Sequence, residues 1–330
     1  MIFGSYKLGS GEFDLISRYF APLSAKGKPA YGLMDDAAIL TPPEGRDLIF
    51  TKDALVADVH FFANDPADLV ARKAMRVNLS DLAAMGAAPL GYLLALAIPK
   101  DMKNIEDWLA QFSAGLKRDQ KEFGWSVFGG DTVSTSGPLM ISLTAIGSVG
   151  RGQALMRRGA KVGDNIYVSG TLGDAAFGLK CLKGNITPAN KVLVDRYHLP
   201  RPRLELGQRL SGIATSAMDI SDGLAGDIRH ICGLSGHGAE IDSRLIPLSG
   251  EVSKLLESFP SYKKLVWNGG DDYELLFTAP DDMRVDVDRL SRELDLPLTN
   301  IGRITTGKKV IIRGSDGMNL LQNDQGFRHF

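Results

Sequence analysis

Apolar positions in the first half of the chain follow two alternating rhythms. Short runs rich in β-branched residues, Leu48 to Val56, Gly91 to Ile98, Ser126 to Phe128 and Leu139 to Val149, have the length and composition of strands. Pro66 to Met85 and Asn104 to Phe123 instead repeat their apolar residues every three or four positions, as a helix packed on one side does. A polar, glycine-bearing loop from Arg151 to Asp164 interrupts the series, which restarts at Ile166 to Val168. Beyond it, helices are predicted at Asp174 to Leu182, Arg203 to Leu210, Gly223 to Leu234 and Met283 to Leu294, with strands at Ala217 to Ile220, Tyr273 to Thr278 and Lys309 to Ile312. The pattern predicts an α/β chain of two domains, residues 1–150 and 151–330. Each half carries one Gly-Gly-Asp beside an apolar strand, 129–131 and 269–271, a weak hint that the halves are related.

Composition narrows the classes. With 330 residues and 44% hydrophobic content the chain can bury a large core. Its 38 basic and 39 acidic residues nearly cancel, so no broad field draws it to nucleic acid or to an anionic membrane. Any polyanion has to be held locally. The two cysteines, Cys181 and Cys232, are far apart, which argues against a disulfide framework or a zinc site. The longest uncharged run, Leu82 to Ile98, is broken by Gly86, Pro89 and Gly91 and is too short to span a membrane. Met1 to Phe13 has neither a basic leader nor a long apolar stretch, and a cytoplasmic location is expected.

The chemistry is suggested by carboxylates in unexpected places. There is no phosphate loop of the G-x-x-x-x-G-K-[ST] type and no protein-kinase catalytic loop. Asp35 and Asp36 precede an apolar run, Asp53 falls inside a strand pattern, and Asp131 is expected at a strand's end; Asp219, Asp222, Asp271 and Asp272 extend the set. An ionised carboxylate in apolar surroundings loses hydration unless something pairs with it. Asp81 is the sharpest case. Its helix is expected to open with Asp65 as N-cap and Pro66 as first residue. Val70, Ala74, Val77, Ala84 and Met85 share its face at 3.6 residues per turn. Magnesium suits such acids, being a hard ion that takes carboxylates together with substrate phosphates. Turn chemistry and helix capping account for aspartate beside glycine equally well at any one position. Ser221-Asp222-Gly223, for instance, makes a good helix start with or without an anion upon it. By default the basic loop Met156 to Lys161 is solvated surface, His60 is packing and the tail Gly326 to Phe330 is a frayed end; a phosphate clamp at the loop and a ligand-closing aromatic tail are the alternatives.

Read together, GEFDLISRYF (Gly11 to Phe20), DDAAIL (Asp35 to Leu40), DALVADVHF (Asp53 to Phe61), VNLSDLAAMGAAP (Val77 to Pro89) and FGGDT (Phe128 to Thr132) closely resemble the thiamine-monophosphate kinase family. So do ALMRRGAKVGD (Ala154 to Asp164), DISDGL (Asp219 to Leu224), GGDDYELLFT (Gly269 to Thr278) and the terminal GFRHF. That family belongs to the aminoimidazole ribonucleotide synthetase superfamily.

The resemblance implies a two-domain fold whose N-terminal domain dimerises through a shared β-barrel. It also implies direct transfer of the ATP γ-phosphoryl group to thiamine monophosphate, with several magnesium ions. On matched positions Asp36, Thr51, Asp53, Asp81, Asp131, Asp219 and Asp222 would hold metal, and Asp53, Asp81 and Asp131 would be catalytic. Gly130, Asp131, Arg157 and Ser221 would border ATP, while His60, Asp271 and Phe327 would contact thiamine monophosphate. Three positions depart from the family pattern. Met34 stands for glycine, Lys52 for threonine or serine within the metal-binding segment, and Asp271 for glutamate. A sibling enzyme with another acceptor, such as aminoimidazole ribonucleotide synthetase, and a non-catalytic magnesium-nucleotide binder are the rival readings.

Overall fold

The computed structural model of the chain describes residues 12–321. They form two compact units. The first comprises the residues up to Glu44 together with Phe50–Asn78 and Pro89–Ser148; the second comprises Gly45–Ile49, Leu79–Ala88 and the chain from Val149 on.

A helical turn α1 (Glu12–Leu15) precedes β1 (Arg46–Val56), α2 (Ala67–Ala84), β2 (Ala88–Pro99), α3 (Ile105–Phe123), β3 (Ser126–Thr135) and β4 (Met140–Gly150). The four strands make one sheet in the order β1-β4-β2-β3, with β2 and β3 parallel. Helix α3 ends at Gly124, whose positive φ of 70° lets its amide reach back to the Gln120 carbonyl, a stop that only glycine adopts cheaply. Within this unit α2 and α3 are joined at Asp119, fully buried, which accepts from Arg72 Nε at 2.7 Å and from Arg76 Nε at 2.6 Å. A side chain at Gly115 would overlap the backbone of Asp68, so the two helices meet at van der Waals distance there.

The second unit carries β5 (Asn165–Ser169), α4 (Asp174–Leu182), α5 (Lys191–His198), α6 (Leu204–Arg209), β6 (Ser216–Asp219), α7 (Leu224–Ser235), β7 (Gly238–Asp242), α8 (Gly250–Ser258), α9 (Leu265–Asn268), β8 (Leu275–Ala279), α10 (Arg284–Glu293), β9 (Leu298–Thr305) and β10 (Val310–Arg313). Its six strands run in the order β10-β7-β9-β5-β8-β6. The sheet is covered on both faces. Ile166, Val168, Met218 and Leu276 enter a core with α4 and α7, while their neighbours Tyr167, Ala217, Leu275 and Phe277 enter a second core with α6 and α10. Two-sided burial explains why β5 and β8 read as unbroken apolar runs rather than alternating ones.

Most predicted elements are present within a residue or two of their expected ends. α1, α5, β7, α8, α9 and β9 were not anticipated. Three local expectations need correction. Asp131 is not at a strand's end, because β3 continues through it to Thr135. The first carbonyl of α2 to accept a helical bond is that of Pro66, from Val70 at 3.0 Å, and the Asp65 carboxylate accepts from the Phe62 amide at 2.9 Å. The two Gly-Gly-Asp triplets are not equivalent: 129–131 lies within β3, whereas 269–271 is a loop after α9.

Candidate active site

Two turns of the second unit are built against each other. β6 delivers Asp219 at its end, and the chain then turns through Ser221, Asp222 and Gly223 into α7. Gly223 has φ 109° and a side chain there would crowd Asn268 and Gly269, so the position demands glycine. Opposite it runs Gly269 to Glu274. The Asp271 amide donates to the Ser221 carbonyl at 2.9 Å, the Tyr273 amide to the Ile220 carbonyl at 2.8 Å, and the Ile220 amide to the Glu274 carbonyl at 2.9 Å. A side chain at Gly270 would overlap the Ser221 carbonyl oxygen. Asp219 and Ser221, expected at metal and nucleotide, and Asp271, expected at the acceptor, therefore share one pair of interlocked turns.

Asp219 is nearly fully buried and accepts from Ser80 Oγ at 2.7 Å. Ser80 adjoins Asp81, so the last turns of α2 are tied to the end of β6; Asp81 itself is half-buried among buried neighbours, less enclosed than the middle of an apolar face implies. Asp227, one turn into α7, accepts from the Asp222 amide at 3.3 Å and the Gly223 amide at 3.1 Å. Burial, followed by repulsion from Asp219 and Asp222, pushes the Asp227 carboxyl up to about 8, against those two amides. Asp219, Asp222 and Asp227 are three acids near enough at this turn to repel one another when ionised, a repulsion that a bound cation would relieve. Arg157 is exposed in the loop before β5, where the Met156 carbonyl accepts from the Ala217 amide at 2.9 Å, two residues from Asp219.

In the first unit Thr51 and Asp53 lie on one face of β1, half-buried, while Phe50, Lys52 and Ala54 are exposed on the other. Lys52 therefore lies on the face opposite Thr51 and Asp53, since successive side chains of a strand point to opposite faces. The Asp53 amide donates to Asn78 Oδ1 of α2 at 3.2 Å. Gly130 sits so close to β2 that any side chain would overlap the Leu94 carbonyl oxygen; Asp131 follows it, exposed. Asp36 is exposed in the bend after Met34, itself exposed. His60 Nδ1 accepts from the Val56 amide at 3.0 Å, which assigns the hydrogen of a neutral ring to Nε2, and Lys73 Nζ donates to the His60 carbonyl at 3.1 Å. Phe327 lies outside the described residues. Among the described residues no three histidine, cysteine, aspartate or glutamate side chains are grouped so as to hold a metal ion. Magnesium does not require such a cage, since it takes one or two carboxylates and fills its other positions with water and phosphate oxygens.

Sequence reasoning passed over Asn78, Ser80 and Asp227. Their signals were polar residues at fully buried positions of α2, and an acid four residues beyond the helix-opening glycine.

The chain thus carries two units in tandem, the second bearing a carboxylate turn at the end of a strand. It matches the model of the N-terminal domain of the AIR synthase related proteins over residues 34–149 and that of their C-terminal domain over residues 161–315. It is 42% identical over 329 residues to the thiamine-monophosphate kinase of Escherichia coli (strain K12), covering 98% of this chain and 99% of the relative. The crystal structure of thiamine-monophosphate kinase from Stenotrophomonas maltophilia K279a is similar with a TM-score of 0.79 and 42% identity, over 87% of this chain and 90% of that one. The structure described as AaThiL complexed with AMPPCP and TMP gives a TM-score of 0.77 and 31% identity, over 97% of each chain. The chain belongs to the thiamine-monophosphate kinase family, and so to the ATP-dependent phosphotransferases.

Proposed function

We propose that the chain moves the γ-phosphoryl group of ATP directly onto thiamine monophosphate, giving thiamine diphosphate and ADP, and that it does so in the cytoplasm as a homodimer. The observation that carries this reading is the pair of interlocked turns, in which the Asp271 amide is bonded to the Ser221 carbonyl at 2.9 Å. Groups suited to the nucleotide and a group suited to the acceptor are held in one piece of backbone, as transfer between two phosphates requires.

Asp36, Thr51, Asp53, Asp81, Asp131, Asp219 and Asp222 are the oxygen ligands for magnesium in this reading, and the crowding of Asp219, Asp222 and Asp227 supports it. Magnesium, when bound, supplies neutralisation and alignment for the phosphate oxygens. Gly130 brings bare backbone to ATP, with Asp131, Arg157 and Ser221 beside it. The His60 Nε2–H, Asp271 and Phe327 hold thiamine monophosphate, Phe327 offering a ring to the cationic thiazolium. The acceptor phosphate is largely ionised near neutral pH, so no strong general base is assigned.

Residues 1–150 act in this proposal as the nucleotide, magnesium and dimerisation half, and residues 151–330 as its partner domain. Support for a dimer comes from apolar side chains left open on the first sheet: Phe50 is 61% exposed, Leu93 40% and Val133 50%. Leu93 and Val133 share a sheet face, since Val133 pairs with Ala97. No helix of the described residues is long and apolar enough to cross a membrane.

The test is transfer of label. With γ-labelled ATP, magnesium and thiamine monophosphate, chromatography is expected to find the label in thiamine diphosphate, one for each ADP. ADP released with no labelled thiamine diphosphate would reject the acceptor.

A further inference from the structure

Glu274 is a fully buried acid that the proposed chemistry leaves unused. It is 0% exposed and closes the turn that carries Asp271, three residues earlier. Arg203 meets it in a fork, Nε at 2.6 Å and Nη2 at 2.5 Å; Arg196 Nη2 donates at 2.8 Å and Ser169 Oγ at 2.6 Å. The Ser169 oxygen in turn accepts from the Leu275 amide at 2.8 Å. Asp272, equally buried, accepts from the Gly173 amide at 2.7 Å and the Ala175 amide at 3.3 Å at the start of α4. Between and beside these anchors the backbone is driven into a sparsely populated region, with φ of 69° at Asp271 and 50° at Tyr273. Such conformations persist only where the surroundings impose them.

A buried ion network is a poor source of stability compared with apolar packing, so its placement invites a geometric explanation. The turn bearing Asp219 to Gly223 has side-chain supports of its own, Ser80 on Asp219 and Asp227 on the Asp222 and Gly223 amides. The turn bearing Asp271 is gripped instead through Asp272 and Glu274. We infer that Arg203 and Arg196 are positioning residues, which act through Glu274 to hold Asp271 against the acceptor and so set affinity for thiamine monophosphate while leaving nucleotide binding alone. This rests on the function proposed above. It also identifies the stretch between α5 and α6 as a determinant of acceptor binding, although Arg203 touches no substrate in this scheme.

The test is Arg203→Met, with Arg203→Lys as the milder variant should the first fold poorly. Loss of one charge-assisted contact is expected to raise the KM for thiamine monophosphate roughly tenfold. The KM for ATP should change less than about twofold, and lysine should recover part of the loss. In an Asp271→Ala background, Arg203→Met should add nothing further, since the two residues act through one contact. Equal changes in both KM values, full additivity with Asp271→Ala, or an unchanged KM would overturn the inference. Amide exchange separates this outcome from failure of the function itself. In either Arg203 variant the Asp271 and Tyr273 amides should exchange faster while Asp222 and Gly223 keep wild-type rates, whatever the acceptor; uniform or absent acceleration would defeat the positioning role.

Discussion

The two Gly-Gly-Asp segments use the same three residues to opposite ends. At 129–131 the glycines let β3 lie against β2, and the aspartate is left exposed on a continuous strand. At 269–271 they let one loop interlock with another, and the aspartate is forced to a positive φ beside two buried acids, Asp272 and Glu274, the latter paired with partly buried arginines. Glycine here encodes only the close approach of backbone; what the following acid does is decided by whatever approaches. A ligand can be built on a stiff strand edge or on a clamped loop, and the two should fail differently when altered.

The sharpest break in the comparison is expected between the acids. Asp131→Asn should lower kcat on the order of a hundredfold to a thousandfold with Tm unchanged, because it removes stabilisation of developing charge and no packing. Asp271→Asn should act chiefly on the KM for thiamine monophosphate, by roughly tenfold. Steady-state kinetics with both substrates varied distinguishes the two; a large kcat loss in Asp271→Asn with KM intact would merge the roles.

The glycines come next. Gly130→Ala places a methyl group on the Leu94 carbonyl inside a sheet ladder and should cost roughly 3 kcal/mol or more, read from denaturant unfolding. Gly270→Ala meets the Ser221 carbonyl in a loop and should cost about 1–3 kcal/mol. Equal losses would remove the distinction between strand and loop.

A smaller effect concerns pH and belongs to the second segment alone. Burial, opposed by the Gly173 amide and Arg196, pushes Asp272 up to about 8. An aspartate in the unfolded chain titrates near about 4. Between those values the folded state holds a proton that the unfolded state has lost, so the contribution of Asp272 is full at low pH and is lost as pH rises through about 8. Asp272→Asn, which cannot ionise, should flatten the fall of Tm between about pH 5 and 8. An unaltered slope would place the proton elsewhere. The smallest expected change is at Lys52. Since it faces away from Asp53, Lys52→Ser should leave the magnesium dependence of turnover within about twofold of wild type.

Much of this was legible in the chain, for identifiable reasons. Helical and strand periods located α2, α3, α4 and β5 because their burial is regular and long. α1, α5, β7, α8, α9 and β9 escaped because they are short or carry polar residues at half-buried positions, as in Gly238–Asp242 and Leu298–Thr305. Asp81 stood out as an acid on an apolar face. Ser80 and Asn78 did not, since the helix is buried nearly all round near its end and periodicity no longer separates faces. The clamp on Glu274 was invisible for another reason: Arg196, Arg203 and Glu274 are brought together only by the tertiary fold, and ion pairs distant in sequence leave no local pattern. The same holds for Asp219 and Ser80. The face on which Lys52 lies, by contrast, needed only the period of two that its strand already displayed.

The central claim is direct transfer between two phosphates held face to face by carboxylates, without a phosphorylated enzyme. ATP made chiral at the γ-phosphorus with oxygen isotopes tests it most directly, through the configuration of the terminal phosphate in the thiamine diphosphate formed. A single in-line displacement predicts inversion; retention would require two displacements and a phosphorylated side chain, and would contradict the account.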